Sequence, residues 1–277
     1  MKTAKKEKTI PKTRISGLFE DLKARGEKAL VAFITAGDPD LAATKDIILT
    51  LEKSGADIIE LGIPFSDPAA DGPTIQASSE RAVKKGVMLP DVLGLVKEVR
   101  KESEIPIVLF GYYNPVFTFG LKKFAKAAKS AGADGVLIVD LPAEESDELK
   151  TELDREGIDF IFLVTPTSDD RRMKTIADKA SGFLYFVSVT GVTGARTQVS
   201  KDVSSYVKRL KKFTDLPVGV GFGISTPAQA KEVASYADGV IVGSAIVNKI
   251  AQNSASDGLL KEVGDFVSGL KQGIGSN

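Results

Sequence analysis

This sequence predicts an α/β chain closing as a single (β/α)8 TIM barrel with one extra helix before the first strand, on three observations. Eight short apolar runs of strand type alternate with helical stretches over roughly 250 residues, the pattern of a barrel of parallel strands. One phrase recurs at the junctions, as "LEKSGADIIELG" (51–62), "AKSAGADGVLIVD" (128–140), "LDREGIDFIFLV" (153–164) and "EVASYADGVIVG" (232–243). In each, a helical pattern ends in a small or polar residue, an aspartate follows, and an apolar run begins, as where a helix stops and a strand covered on both faces starts. No low-complexity linker divides the chain, so residues 14–277 read as one domain and 1–13 as a solvated basic tail. An open doubly wound sheet is the alternative.

Taken in order, "SGLFEDLKARGE" (16–27) is the extra helix, placed to plug the barrel floor. "ALVAFITAG" (29–37) is the first strand and the 58–62 run the second. "TIQASSERAVKKG" (74–86) and "LPDVLGLVKEVRKES" (89–103) are helices before a third strand at "PIVLFGYY" (106–113). The helix "LKKFAKAAKSAG" (121–132) precedes the fourth strand, and the fifth follows at the 153–164 junction. "FLYFVSV" (183–189) is the sixth strand, "KDVSSYVKRLKKF" (201–213) a helix, "PVGVGFG" (217–223) the seventh strand, and the run ending at 243 the eighth.

Composition narrows the chemistry. Lysine plus arginine and aspartate plus glutamate number 37 each, so no overall basic field would hold nucleic acid or an anionic membrane. No apolar run reaches about 18 residues, so no membrane span is expected. The chain has no cysteine and no histidine, which removes disulfides, thiolate nucleophiles, the Ser-His-Asp triad and the usual zinc sites. Proton transfer must fall to carboxylates, lysines, tyrosines or water. The opening "MKTAKKEKTIPK" lacks the apolar segment of a signal peptide, and the expected address is the cytoplasm.

Barrel active sites lie at the carboxyl ends of the strands. Those ends carry Thr35 to Asp38, Glu60, Tyr112 to Asn114, Asp140, Thr165, Ser188, Gly221 to Gly223, and Gly243 with Ser244. None is a lysine, so Schiff-base aldolase chemistry is not expected. "GVGFGISTPAQA" (219–230) and "IVGSAIV" (241–247) set glycines between a strand and a helix start, two adjacent devices for holding a phosphate. "SVTGVTGARTQVS" (188–200) reads either as a loop closing over substrate or as an ordinary surface loop. Alternation on the second strand turns Ile58, Glu60 and Gly62 to one face, which aims Glu60 into the barrel mouth. Asp71 follows eleven positions later in a loop stiffened by Pro64, Pro68 and Pro73. Glu60 is then a catalytic or a hydrogen-bonded structural carboxylate, and Asp71 a second catalytic group or a helix cap. Spacing alone stops at a phosphate-binding barrel enzyme using carboxylates.

"ELGIPFSDPAADGPTIQ" (60–76), "GYYNPV" (111–116), "VDLPAEES" (139–146), "TGVTGAR" (190–196), "GVGFGIS" (219–225) and "VGSAIV" (242–247) resemble the tryptophan synthase α subunit family, in its order and spacing, over about residues 16 to 270. The resemblance implies a lyase that cleaves indole-3-glycerol phosphate to indole and glyceraldehyde 3-phosphate, late in tryptophan biosynthesis. By motif position, Glu60 would carry the proton transfers and Asp71 would accept the indole N–H. Tyr185 and Thr193 would position substrate or catalyst, with Phe33, Leu137 and Phe222 as apolar walls. Gly194, Gly223, Gly243 and Ser244 would hold the phosphate. The resemblance also implies a pyridoxal phosphate-dependent β subunit in an α2β2 heterotetramer, met by a face containing Pro64 and Asp67. It implies no cofactor or metal in this chain. Other readings are a docking module that activates the β subunit with little turnover of its own, a stand-alone indole-producing lyase, and another sugar-phosphate barrel enzyme.

Overall fold

The computed structural model describes residues 13–187, 196–221 and 223–275, with backbone alone for 196–201. Eight parallel strands close a barrel in sequence order: β1 (Ala29–Thr35), β2 (Ile58–Gly62), β3 (Ile107–Gly111), β4 (Gly135–Ile138), β5 (Asp159–Val164), β6 (Leu184–Val187), β7 (Val218–Gly221) and β8 (Gly239–Val242). The floor helix α1 (Arg14–Ala24) comes first and α2 (Leu41–Lys53) joins β1 to β2. Both α3 (Pro73–Lys84) and α4 (Leu89–Val99) lie between β2 and β3. They are followed by α5 (Tyr113–Phe119), α6 (Leu121–Ala131), α7 (Asp147–Glu156) and α8 (Asp170–Lys179). The outer layer is completed by α9 (Arg196–Leu210), α10 (Pro227–Ala234), α11 (Ser244–Asn253) and α12 (Leu259–Gly275). Among the described residues, no helix is long and apolar enough to cross a membrane.

All eight expected strands form, and the helices α5 and α9 are two of the places where the structure differs from expectation. The third strand stops at Gly111, and Tyr113 already opens α5, with Pro115 in its first turn, where a missing N–H costs nothing. The helix expected from residue 201 begins at Arg196, because no glycine or proline interrupts the chain beyond Gly194.

The strands are buried on both faces, which separates two cores. Side chains such as Ile59, Leu61, Leu109 and Val136 pack outward under the helices. Inside the barrel, Val31, Ile58, Val108, Leu137, Ile161 and Phe183 meet Ile15, Phe19 and Leu22, the apolar stripe of α1. Phe19 and Phe183 rings lie 5.8 Å apart, so α1 does plug the floor. Thr13, the last residue of the expected tail, caps this helix and also donates to Asp159 at 2.6 Å.

The recurring junction aspartates brace this floor. Asp57, before β2, accepts the Leu30 N–H of β1 at 2.6 Å and the Lys271 ammonium at 2.6 Å. Asp134, before β4, accepts the Ile107 N–H of β3 at 2.8 Å and Arg100 at 2.7 Å. Asp238, before β8, accepts the Val218 N–H of β7 at 2.9 Å and pairs with Lys211. Each carboxylate thus satisfies a donor at the start of the neighbouring strand, a group that would otherwise go unpaired. Asp134 and Arg100 are only 5% and 10% exposed, so removing one strands the other. We expect Asp134→Ala to destabilise the fold by about 3–5 kcal/mol, read as a lowered urea midpoint.

Candidate active site

At the carboxyl ends of the strands lies a cavity of about 630 Å³, the size of a small-ligand site. Its lining joins Phe33 of β1, Glu60 of β2, Phe110 of β3, Tyr185 of β6 and Gly221 of β7 with Asp71 from the loop before α3. A second cavity, about 430 Å³, opens at the opposite end between α1 and the turns before β7 and β8. Among its charged groups, Lys28 and Lys211 are already paired with Asp238. The chemistry belongs to the carboxyl-end cavity, where the acids are not neutralised.

Glu60 forms part of the cavity floor, its place set by the register that pairs it with Phe33 of β1 and Val108 of β3. It is completely buried, and neither carboxylate oxygen has a hydrogen-bond partner among the described residues. Burial therefore pushes its carboxyl up to about 8. No described residue supports the hydrogen-bonded structural alternative for Glu60. A buried, unpartnered acid costs stability, and such groups concentrate where chemistry is done.

Asp71 lies on the cavity wall and does not cap α3. The N-cap of α3 is Gly72, which makes no side-chain cap bond. Instead the Tyr112 hydroxyl donates to Asp71 Oδ2 at 2.9 Å. Burial raises the Asp71 carboxyl and this hydrogen bond opposes the rise. Tyr185 has its phenol pushed far up by burial and by the nearby charges of Glu60 and Asp71. Its ring crosses Gly221 so closely that a Cβ there would lie 2.3 Å from the hydroxyl oxygen.

The glycine devices converge on the same cavity. Gly223, Gly243 and Ser244 all line it, Ser244 as the first residue of α11. Gly223 has φ +50, a conformation that suits glycine, and Gly243 precedes the first turn of the helix. Phe33 forms a wall with Phe110, the rings meeting edge to face at 5.0 Å. Leu137 is instead fully buried in the barrel interior with α1 and does not line the cavity. Thr193, Gly194, Phe222 and most of the 188–200 loop lie outside the described residues. Pro64 is buried within the chain and offers a partner no surface; Asp67 beside it is exposed and accepts Ser66 Oγ at 2.6 Å. Sequence reasoning did not assign Tyr112, Ile75, Phe110 or Asn248 to the site. Tyr112 was visible at a strand end, but not the loop it would meet.

Two carboxylates facing one cavity, beside paired glycine devices at the carboxyl ends of a closed barrel, define a (β/α)8-barrel enzyme working by acid–base chemistry. The family model described as "Tryptophan synthase alpha chain" matches residues 19–274, and the chain belongs to this family. The tryptophan synthase alpha chain of Geotalea uraniireducens is 58% identical over 262 residues, covering 95% of this chain and 98% of that one. That of Geobacter sulfurreducens is 57% identical over 264 residues, covering 95% and 100%. The crystal structure of tryptophan synthase subunit alpha from Legionella pneumophila superposes with a TM-score of 0.89 at 42% identity, covering 95% of this chain and 98% of that one.

Two predictions follow from the geometry. The folded Glu60 carboxyl holds its proton up to about pH 8 while the unfolded one releases it near 4.5, so the native state binds more protons between these values. Stability falls as pH rises through this window, by up to about 1.4 kcal/mol per unit. Glu60→Gln, which cannot ionise, should flatten that decline in thermal melts from pH 5 to 8 (~3 units). Gly221→Ala should displace the Tyr185 ring, lowering turnover roughly tenfold or more while the circular dichroism of the barrel is retained.

Proposed function

We propose that this chain cleaves indole-3-glycerol phosphate by a retro-aldol reaction, releasing indole and glyceraldehyde 3-phosphate in the last steps of tryptophan biosynthesis. The observation that carries this is the buried Glu60, without a hydrogen-bond partner among the described residues, at the base of a cavity shared with Asp71 and the glycine turns. Breaking the bond requires a proton on indole C3 and loss of the proton from the hydroxyl of the adjacent side-chain carbon. With its carboxyl raised to about 8, Glu60 is protonated at neutral pH and donates to C3. The carboxylate so formed accepts the hydroxyl proton as the carbon–carbon bond breaks, which returns Glu60 to its starting state. Asp71, as a carboxylate, accepts the indole N–H and stabilises the positive charge on the protonated ring.

The phosphate is assigned to Gly223, Gly243 and Ser244, with Gly194 from the glycine–threonine loop. That assignment is supported by the joint lining of one cavity by the first three. The indole is assigned to the Phe33 and Phe110 wall, and Tyr185 is assigned a part in orienting Glu60 or substrate. We assign Thr193 to contact Asp71 when the loop closes. Indole passes to a pyridoxal phosphate-dependent β subunit, and the assembly is read as an α2β2 heterotetramer, with exposed Asp67 on the partner face. The chain itself carries the lyase step with its own side chains. An address in the cytoplasm belongs to the same reading, with residues 14–277 as one catalytic domain.

Indole release from indole-3-glycerol phosphate by the purified chain, with and without a β subunit, tests this reading. Glu60→Gln should lose at least about a hundredfold in turnover, since a general acid–base group contributes on that scale. Faster release with the β subunit would mark a partner-controlled enzyme, and fast release alone a stand-alone lyase. No release in either condition would overturn the catalytic assignment.

A further inference from the structure

The β2–α3 loop carries Asp71, and the end of β3 carries the group that holds it. Tyr112 is 6% exposed and reaches both ends of this loop. Its ring packs against Phe65 at the start of the loop, with centroids 5.1 Å apart. Its hydroxyl oxygen accepts the Ala70 N–H at 3.0 Å, and its O–H donates to Asp71 Oδ2 at 2.9 Å. The Ala70 N–H can only donate, so the phenol oxygen accepts there and its single proton is given to the accepting Asp71 oxygen. Asp71 Oδ1 accepts no hydrogen bond from the described residues, and the residue lines the cavity.

We propose that Tyr112 is a positioning residue for the lyase reaction: it immobilises Asp71 through Oδ2 and leaves Oδ1 to receive the substrate N–H. This deepens the assignment of Asp71 made above and rests on it. The remaining anchors of the loop act on its backbone and leave the carboxylate free to turn. Ser79 Oγ accepts the Phe65 N–H and donates to the Phe65 carbonyl, both at 2.9 Å. Gln76 donates to the Asp71 carbonyl at 2.8 Å. Tyr112 alone among these groups binds the side chain that would meet substrate, so it decides which oxygen is presented. Misplacing a reacting or stabilising group by about 1 Å can cost a hundredfold.

The hydroxyl also has an electrostatic consequence. Its donation stabilises the Asp71 carboxylate, opposing the upward effect of burial. The titratable groups that face Asp71 among the described residues are Tyr112 from the β3 end, Glu60 from β2 and Tyr185 from β6. Both tyrosines stay protonated through the working range, so Asp71 governs the acid limb and Glu60 the basic one.

The test is Tyr112→Phe in the full chain, which keeps the ring against Phe65 and removes only the hydroxyl. Turnover should fall roughly ten- to hundredfold with KM changed by less than about threefold, and the acid limb should move to higher pH. In an Asp71→Asn background the same substitution should cost little more, because the group it positions is already altered. A Tyr112→Phe chain with parental turnover and an unmoved acid limb would overturn the proposal. So would a loss that adds in full to that of Asp71→Asn. Asp71→Asn alone with parental activity would show a different failure, that of the role given to Asp71, and the positioning role would fall with it.

Discussion

A carboxylic acid buried inside a barrel, with no hydrogen-bond partner among the described residues, is the constraint around which this structure is arranged. Glu60 stands on β2 between β1 and β3, with the interior packed beneath it by Ile58, Val108, Leu137 and the stripe of α1. That dry floor gives the charge nowhere to be solvated, and the proton stays on. The cost in stability and the ability to donate a proton at neutral pH have the same cause. Phe33 and Phe110 extend the dry region upward, and Gly62 admits Phe33 so closely that a Cβ there would lie 2.8 Å from its ring.

Other buried or half-buried acids show what an acid built for stability looks like. Asp134 and Asp57 each accept a strand N–H and a cation, and Asp38 is held by both arms of Arg81 at 2.8 and 2.7 Å. Those partners repay desolvation through charge-assisted hydrogen bonds and leave nothing over for a ligand. Among the described residues Glu60 has no such bond and Asp71 has one, made to one oxygen and from a neutral donor. Paired acids such as Asp134 and Asp57 brace the floor, and Asp38 is locked in the same way beyond the end of β1, whereas the two acids lining the carboxyl-end cavity remain available. The division follows barrel geometry, in which strand starts meet one another's backbone donors and strand ends open toward a cavity.

Much of this was legible along the chain. Glycine stops, apolar runs and alternation are local signals, so the eight strands, the floor helix and the inward aim of Glu60 could be read without a structure. The junction aspartates were visible as a repeat, but not as braces, because their partners lie on other strands. The alternatives for Asp71 could not be separated either: a carboxylate just before a helix suits a cap as well as a site. Leu137 carried an inward-facing strand position, yet depth along the barrel axis put it below the cavity. Pro64 looked like part of an exposed loop and is buried where that loop turns back on the barrel.

By itself the sequence determined the alternation of strands and helices, the absence of histidine and cysteine chemistry, and the placing of Glu60 and two glycine turns at strand ends with Asp71 in the loop that follows. These follow from residue type and spacing within a few turns of chain. Only the tertiary structure decided that Glu60 has no hydrogen-bond partner among the described residues and that Asp71 is held by a hydroxyl 41 positions away. Burial and hydrogen bonding are properties of what packs alongside. In a closed barrel, those neighbours come from distant stretches of the chain, where no local pattern records them.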